Sequence, residues 1–478
     1  MKKYFLILFI FLISVNNSYA QLSFDSLKVK ISEIIRPYLD STKTGAAIGV
    51  VFKYPGQNPV SYKFSFGHVK KDTNSPKIDS LTMFQLGSVT KSFTAMILAR
   101  WIQNNQILLN NLAQIYMPQN VRLPVRVSGN DTLKMTILDL VTHYSALPDD
   151  PINPFNDSTT YQMMYNYLNN HILSRPPGEC YLYSNLGVST LGIALSHTGN
   201  KIIDSLFIQY VCDTLDMNDT RVKLNVNQTS RLAQAYNSNG DSIGYQKSSW
   251  PAFIAAGGLY SNISDMLKYL RFQMKLSPEI GMTNVLDSLH KKRRVANTLC
   301  TLTNAPGRIG MVWQMNPFQP SDSNFYFTWK DGGTPGFSSW IGFSQNPSNG
   351  FQAGVVGLGN HGSPIDSYIN QILRHINQVS VNIKRTDEII PDEFNLLQNY
   401  PNPFNPITKI SFSIPSNEFV TLKVYDALGR EISTLVNDNL IAGQYEINWN
   451  ATSFASGVYF YSIKTENYFQ TKKMLLVK

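Results

Sequence analysis

Cysteine is scarce. The 478 residues contain three, Cys180, Cys212 and Cys300. That is too few for a disulfide scaffold, and an odd number leaves open one disulfide with a free thiol, or none. The cysteines lack metal-ligand spacing, and the seven histidines include no His-x-x-x-His pair, so no metal and no cofactor are expected. A concentrated basic surface is also missing. Formal net charge is +9, but the basic residues are scattered. The one dense run, Lys291-Lys-Arg-Arg294, has no aromatic-rich basic motif beside it; it reads as a solvated surface segment, and no nucleic-acid partner is expected. Beyond residue 20 no apolar run is long enough for a transmembrane helix.

What is present begins with an export signal. Lys2 and Lys3 precede an apolar core from Tyr4 to Val15, and Ser18-Tyr-Ala20 supplies small-residue cleavage chemistry before Gln21. Residues 1–20 therefore read as a signal peptide. An amphipathic helix is expected over residues 24–40, with Leu27, Ile31, Ile34, Ile35 and Tyr38 on one face. Strands follow at Ala46–Tyr54 and Val60–Phe66 across a Pro55-Gly56 turn. The middle of the chain reads as helices and loops. Past residue 307 come β-rich runs at Arg308–Met315, Phe325–Lys330, Ser338–Ser344 and Phe351–Leu358, and then a closing helix at Ile365–Ile376. This is an α+β layout: an antiparallel sheet made from both ends of the domain, flanked by helices, with an all-helical insert. The domain is expected to occupy residues 21–378, followed by a linker at 379–394. Residues 395–478 read as a small all-β sandwich of immunoglobulin type, with strands near Ile410–Ile414, Val420–Tyr425, Tyr445–Trp449 and Val458–Ile463.

Three separated segments carry chemistry. The first is Gly87-Ser-Val-Thr-Lys91, opening an apolar helix in which Phe93, Ile97 and Trp101 recur at four-residue spacing. Ser88 is placed in the first helical turn, where Lys91, three residues on, shares its face. A serine hydroxyl is a weak nucleophile and needs such a neighbour. Alone the tetrad is weak, since Ser288-Leu-His-Lys291 also fits it, and a helix-capping serine beside a solvated lysine is the plainer reading. The second segment, Tyr183-Leu-Asn185, supplies a phenol and an amide; its plainer reading is a core tyrosine with a satisfied hydroxyl. The third is Trp329-Lys-Asp-Gly-Gly-Thr334. Lys330 offers a cation, and Gly332 and Gly333 expose backbone N–H groups. Its plainer reading is a Gly-rich hairpin.

In this order and at these separations, the segments resemble the serine β-lactamase and penicillin-binding-protein superfamily, in particular its class C β-lactamase, D-peptidase and esterase branch. His143-Tyr-Ser-Ala-Leu-Pro148 is similar to that family's His-Thr-Ser-Gly-Leu-Pro, and Ala256-Gly-Gly-Leu-Tyr-Ser261 with Asp265 to another recurring segment. The resemblance implies a serine hydrolase acylated on Ser88. Lys91 and Tyr183 would share proton transfer, Asn185 would hold the substrate amide, and Lys330 would bind a carboxylate or tune Tyr183. The N–H groups of Ser88 and Gly333 would form the oxyanion hole. It implies a small-molecule or peptide substrate, cell-wall-derived or not: D-amino-acid peptides, small esters or amides, or β-lactams. The departure is Lys330-Asp331-Gly332 where the family has Lys-Thr-Gly, which sets a carboxylate at a substrate-binding position. The alternative is a penicillin-recognising sensor that acylates without turnover. In the tail, Gln398–Pro406, Leu422–Arg430, Ala455–Tyr461 and Lys472–Lys478 resemble a type IX secretion C-terminal sorting domain. That implies the secretion machinery as a partner through residues 395–478, and a secreted or cell-surface location reached through the periplasm.

Overall fold

A computed structural model describes residues 18–19, 22–149, 160–244, 251–277, 282–295, 307–318, 325–347, 349–382, 384–387, 391–440, 442–452 and 454–478. The expected signal peptide, apart from Ser18–Tyr19, lies outside these residues, as does Cys300. Two compact units are present: Lys28–His375, and Ile376–Lys478 with the described N-terminal residues up to Leu27.

The larger unit is built on a seven-stranded antiparallel sheet. Helix α1 spans Phe24–Thr42; strands β1 and β2 are Ala46–Lys53 and Val60–Phe66. Helices α2 (Thr90–Gln103), α3 (Asn185–Gly199) and α4 (Ile263–Gln273) come from the middle of the chain. Strands β3 (Arg308–Ile309), β4 (Gln314–Pro317), β5 (Tyr326–Thr334), β6 (Phe337–Gln345) and β7 (Gln352–Gly359) follow, and helix α5 (Asp366–Asn382) closes the series. The order across the sheet is β3-β4-β5-β6-β7-β1-β2. The first two strands of the chain thus complete a sheet whose remainder lies some 250 residues later. β1 is apolar at nearly every position because both of its faces are covered. On one face α4 comes so close that a Cβ on Gly49 would stand 2.7 Å from Leu267. Across the other, Tyr38 of α1 reaches Ser338 of β6 at 3.4 Å and meets Tyr368 of α5 edge-on.

Three sequence expectations change. The run Arg308–Met315 is two short strands, because Val312 turns the chain with φ +57°. Ser88 does not lie in an α-helical turn: Gly87–Val89 form a separate 3₁₀ turn, and α2 starts at Thr90. The basic run at 291–294 is not wholly solvated. Arg294 pairs with buried Asp139 at 2.5 Å, donates to the Gly178 carbonyl at 3.0 Å and lies over the Tyr144 ring.

The second unit has two antiparallel sheets. β8 (Lys384–Asp387), β9 (Asn395–Leu396), β10 (Ile407–Ile414) and β13 (Gly443–Asn450) form one with Ser18–Tyr19. β11 (Glu418–Tyr425), β12 (Glu431–Leu440), β14 (Gly457–Lys464) and β15 (Phe469–Leu476) form the other. Alternating side chains such as Phe412, Leu422, Ile447, Trp449 and Ile463 make its core. Strands β12 and β15 were not expected. Glu431-Ile-Ser-Thr and Gln470-Thr-Lys-Lys are too polar to read as strands, yet each pairs along its length with a neighbour whose apolar face they complete.

Candidate active site

The site forms where the Gly87–Val89 turn, the start of α3 and the edge of β5 converge. Two glycines permit the contact. Gly87 has φ +50°, and a Cβ there would lie 2.7 Å from the Gly333 carbonyl oxygen. A Cβ on Gly332 would lie 2.1 Å from the Leu86 carbonyl oxygen. Backbone therefore packs directly on backbone, and Ser88 is held against the strand. The space beside Gly332 belongs to Leu86, Val89 and Ser339, whereas nothing lies within 4 Å of a Cβ position on Gly333. Strand β4 pairs with β5 only as far as Trp329, while β6 pairs through Thr334. From Lys330 onward the other edge of β5 has no strand partner among the described residues.

The Ser88 hydroxyl oxygen lies 2.8 Å from Lys91 Nζ and 2.7 Å from the Tyr183 hydroxyl. Lys91 is fully buried. Its Nζ also donates to Asn185 Oδ1 at 2.6 Å and to the Ala256 carbonyl at 2.7 Å. Two fixed carbonyl-type acceptors thus take two of the tetrahedral positions on nitrogen, and the third points at Ser88. Whether that position carries a proton or a lone pair, it addresses the serine oxygen. The ammonium groups of Lys91 and Lys330 lie 5.0 and 5.3 Å from the Tyr183 ring centroid.

His143 stacks on Tyr183, centroids 4.5 Å apart and planes 26° apart. Its Nδ1 accepts the Ser184 N–H at 3.1 Å, and its Nε2 has no partner among the described residues. Burial, then the charges of Lys91 and Lys330, hold its pKa well below the usual imidazole range. Its neutral ring forms a plate against the phenol. Neither it nor the Ala256 carbonyl was singled out as a functional group in the sequence, although both lie in the two secondary segments of resemblance.

Lys330 is 1% exposed, and its Nζ holds the Asp331 carboxylate at 2.7 Å and the Asp331 carbonyl at 3.0 Å. Burial raises the Asp331 carboxyl pKa, but the charge and hydrogen bond of Lys330, with the Lys91 charge, outweigh that and hold it below the ordinary range. Cys180, three residues before Tyr183, is disulfide-bonded, and Cys212 is free and buried. Residues 150–159, between Asp149 and Thr160, lie outside the described residues.

A serine gripped by a lysine and a tyrosine, beside a sheet with an open strand edge, fits a serine hydrolase. The chain belongs to the beta-lactamase family, whose model matches residues 31–371. Residues 398–478 match the secretion system C-terminal sorting domain, which marks an exported or surface-delivered protein. The chain is 26% identical over 327 residues to the D-alanyl-D-alanine-carboxypeptidase/endopeptidase AmpH of Escherichia coli, covering 65% of this chain and 80% of that one. It is 25% identical to the unguisins hydrolase ungD' of Aspergillus campestris, over 68% of this chain and 61% of that protein. Among solved structures, a β-lactamase/D-alanine carboxypeptidase from Yersinia pestis superposes with a TM-score of 0.59 at 20% identity, over 73% of this chain and 98% of that one. A D-alanine carboxypeptidase AmpC from Burkholderia cenocepacia gives 0.58 at 20%, over 74% and 99%. No described helix is long and apolar enough to cross a membrane.

Proposed function

We propose that this protein hydrolyses D-amino-acid peptides, small esters or amides, or β-lactams through an acyl-enzyme on Ser88. The observation that carries the reading is the placement of one serine oxygen within 2.8 Å of both a lysine nitrogen and a tyrosine oxygen. In this reading Tyr183 and Lys91 take the Ser88 proton as the hydroxyl attacks, and return it to the leaving group. Asn185, oriented by Lys91, holds the substrate amide. The Ser88 and Gly333 N–H groups stabilise the oxyanion, supported by the contact that Gly87 makes with Gly333. The similarity to a D-alanyl-D-alanine-carboxypeptidase/endopeptidase favours cell-wall-derived peptides. Residues 1–20 and the sorting tail suit passage through the periplasm and then release or surface display by the secretion machinery.

A fluorophosphonate probe should label the wild-type protein and spare Ser88→Ala. Labelling that persists in the variant removes Ser88 from the role. The second reading is a penicillin-recognising sensor. With a chromogenic ester, a sensor gives one burst per molecule and stops, whereas a hydrolase continues at a steady rate.

A further inference from the structure

Resting on that reading, the geometry points to Asp331 as a specificity-determining residue. Its carboxylate caps Lys330 at the open strand edge, so the site takes peptides, amides and esters whose leaving group carries no carboxylate, and disfavours those with a free carboxylate beside the scissile bond. Successive side chains of a strand point to opposite faces. Gly332 faces the Leu86 carbonyl and the Val89 amide of the Ser88 turn. Lys330 shares that face, and Asp331 leaves the strand on the other. Yet Lys330 Nζ and Asp331 Oδ1 are 2.7 Å apart. Such a pair closes only around an edge of the strand. One edge is filled by the ladder to β6, which runs through Thr334. The ion pair therefore lies across the other edge, which β4 leaves after Trp329. Gln314, the β4 residue opposite Trp329, marks the place: its Nε2 lies 3.5 Å from the same Asp331 oxygen.

The two partners are unequally reachable. The Lys330 side chain is 1% exposed and that of Asp331 is 40% exposed. Lys330 Nζ also donates to the Asp331 carbonyl at 3.0 Å and lies over the Tyr183 ring. A ligand that approaches this edge meets the carboxylate first, and reaches the ammonium only by displacing it. Burial opposes ionisation of Asp331, but the Lys330 charge and hydrogen bond outweigh it, so the group is anionic at neutral pH. Gly333, whose N–H is assigned to the oxyanion, is two residues further on, about 7 Å along the strand. A carboxylate attached next to the scissile bond thus comes close to a like charge. An uncharged amide in its place has no such penalty, and its N–H can donate to the aspartate.

A matched pair of ligands tests this: N-acetyl-D-alanyl-D-alanine and its C-terminal amide. Their binding to Ser88→Ala is measured by calorimetry, which reads the preference without the chemistry. The amide is expected to bind about five- to tenfold tighter than the free acid, and added salt should narrow the gap. Adding Asp331→Asn or Asp331→Ala uncaps Lys330, so the order should reverse in favour of the acid. The acid, and not the amide, should then raise the melting temperature of these variants by replacing the lost partner of a buried cation. The wild-type order stands as a test by itself if neither variant folds. Equal affinities, tighter binding of the acid to the Asp331 protein, an order unchanged in both folded variants, or no binding of the amide at millimolar concentration each overturns the inference. Fluorophosphonate labelling that persists in Ser88→Ala, by contrast, sinks the Ser88 reading and leaves the binding order to decide this one.

Discussion

Ser88 is chemically defined by what touches its oxygen, and both contacts come from residues that also touch each other's surroundings. Lys91 orients Asn185 and lies beside the Tyr183 ring, so lysine and tyrosine should behave as one unit. Kinetics of Lys91→Ala, Tyr183→Phe and the double variant should show the double losing little more kcat/KM than the worse single. Additive losses would separate their roles. A second residue-scale prediction concerns Ala146, which stands where the family's segment has glycine and adopts φ +62°. Left-handed backbone costs an alanine about 1–2 kcal/mol. Replacing it with glycine relieves that strain, but loses a buried methyl of about 0.8 kcal/mol and adds unfolded-state entropy of about 0.4–1 kcal/mol. Ala146→Gly should therefore be neutral within about 0.5 kcal/mol, while β-branched Ala146→Val should lower the melting temperature clearly.

At the scale of elements, the site depends on the contact between the Gly87–Val89 turn and strand β5. Gly332→Ala would drive a methyl into the Leu86 carbonyl and the Val89 amide. Overpacking of this kind costs about 1–3 kcal/mol, and here it also moves Ser88, so fluorophosphonate labelling should fall more than stability does. A variant that keeps full labelling would show that the turn can shift without cost. The start of α5 carries a pH dependence. The Asp366 carboxyl is raised in the folded state to about 7 from an ordinary 3.8. Facing it are Asp331 and Lys330 of β5 and Tyr38 of α1. A folded pKa above the unfolded one means that the folded form holds its proton longer. The contribution is complete below about pH 4 and is lost as pH rises through about 7. Asp366→Asn should thus gain stability relative to wild type at pH 8, on the order of 2 kcal/mol after allowance for partial exposure, and gain none at pH 4. Equal melting shifts at both pH values would contradict this.

For the molecule as a whole, each unit has its own sheet system and its own core. The closing helix runs through Asn382, so we propose that a chain cut after Asn382 folds and reacts at a rate near that of the full protein, whereas a cut at 378 removes the last helical turn. Activity assays and circular dichroism of the two truncated chains check this; a folded but inactive longer chain would tie the tail to catalysis. Within the tail, the Gln398–Pro406 segment is pinned from the core: the Asn399 N–H donates to the Tyr461 hydroxyl, and Asn399 Nδ2 donates to Thr408, both at 2.8 Å.

Much of this was legible in the chain alone. The period of the apolar residues located α1, α2, β1 and β2 closely, because their burial is one-sided or complete. The three chemical segments stood out because Ser-x-x-Lys, Tyr-x-Asn and Lys-x-Gly reinforce one another in order. Other features depended on contacts between distant residues. Polar strands β12 and β15 form because their neighbours demand partners, not because of their own pattern. The 3₁₀ turn at Ser88 and the missing side chain at Gly332 have one cause, the approach of two backbones 246 residues apart in sequence. The side-chain direction of Asp331 was undetermined, since a one-residue shift of register turns a strand residue to the other face. Sequence named the candidate reacting groups through local spacing. Only the tertiary structure decided that Lys330 spends its charge on Asp331, because that pairing depends on where burial leaves an ammonium with no water to hold it.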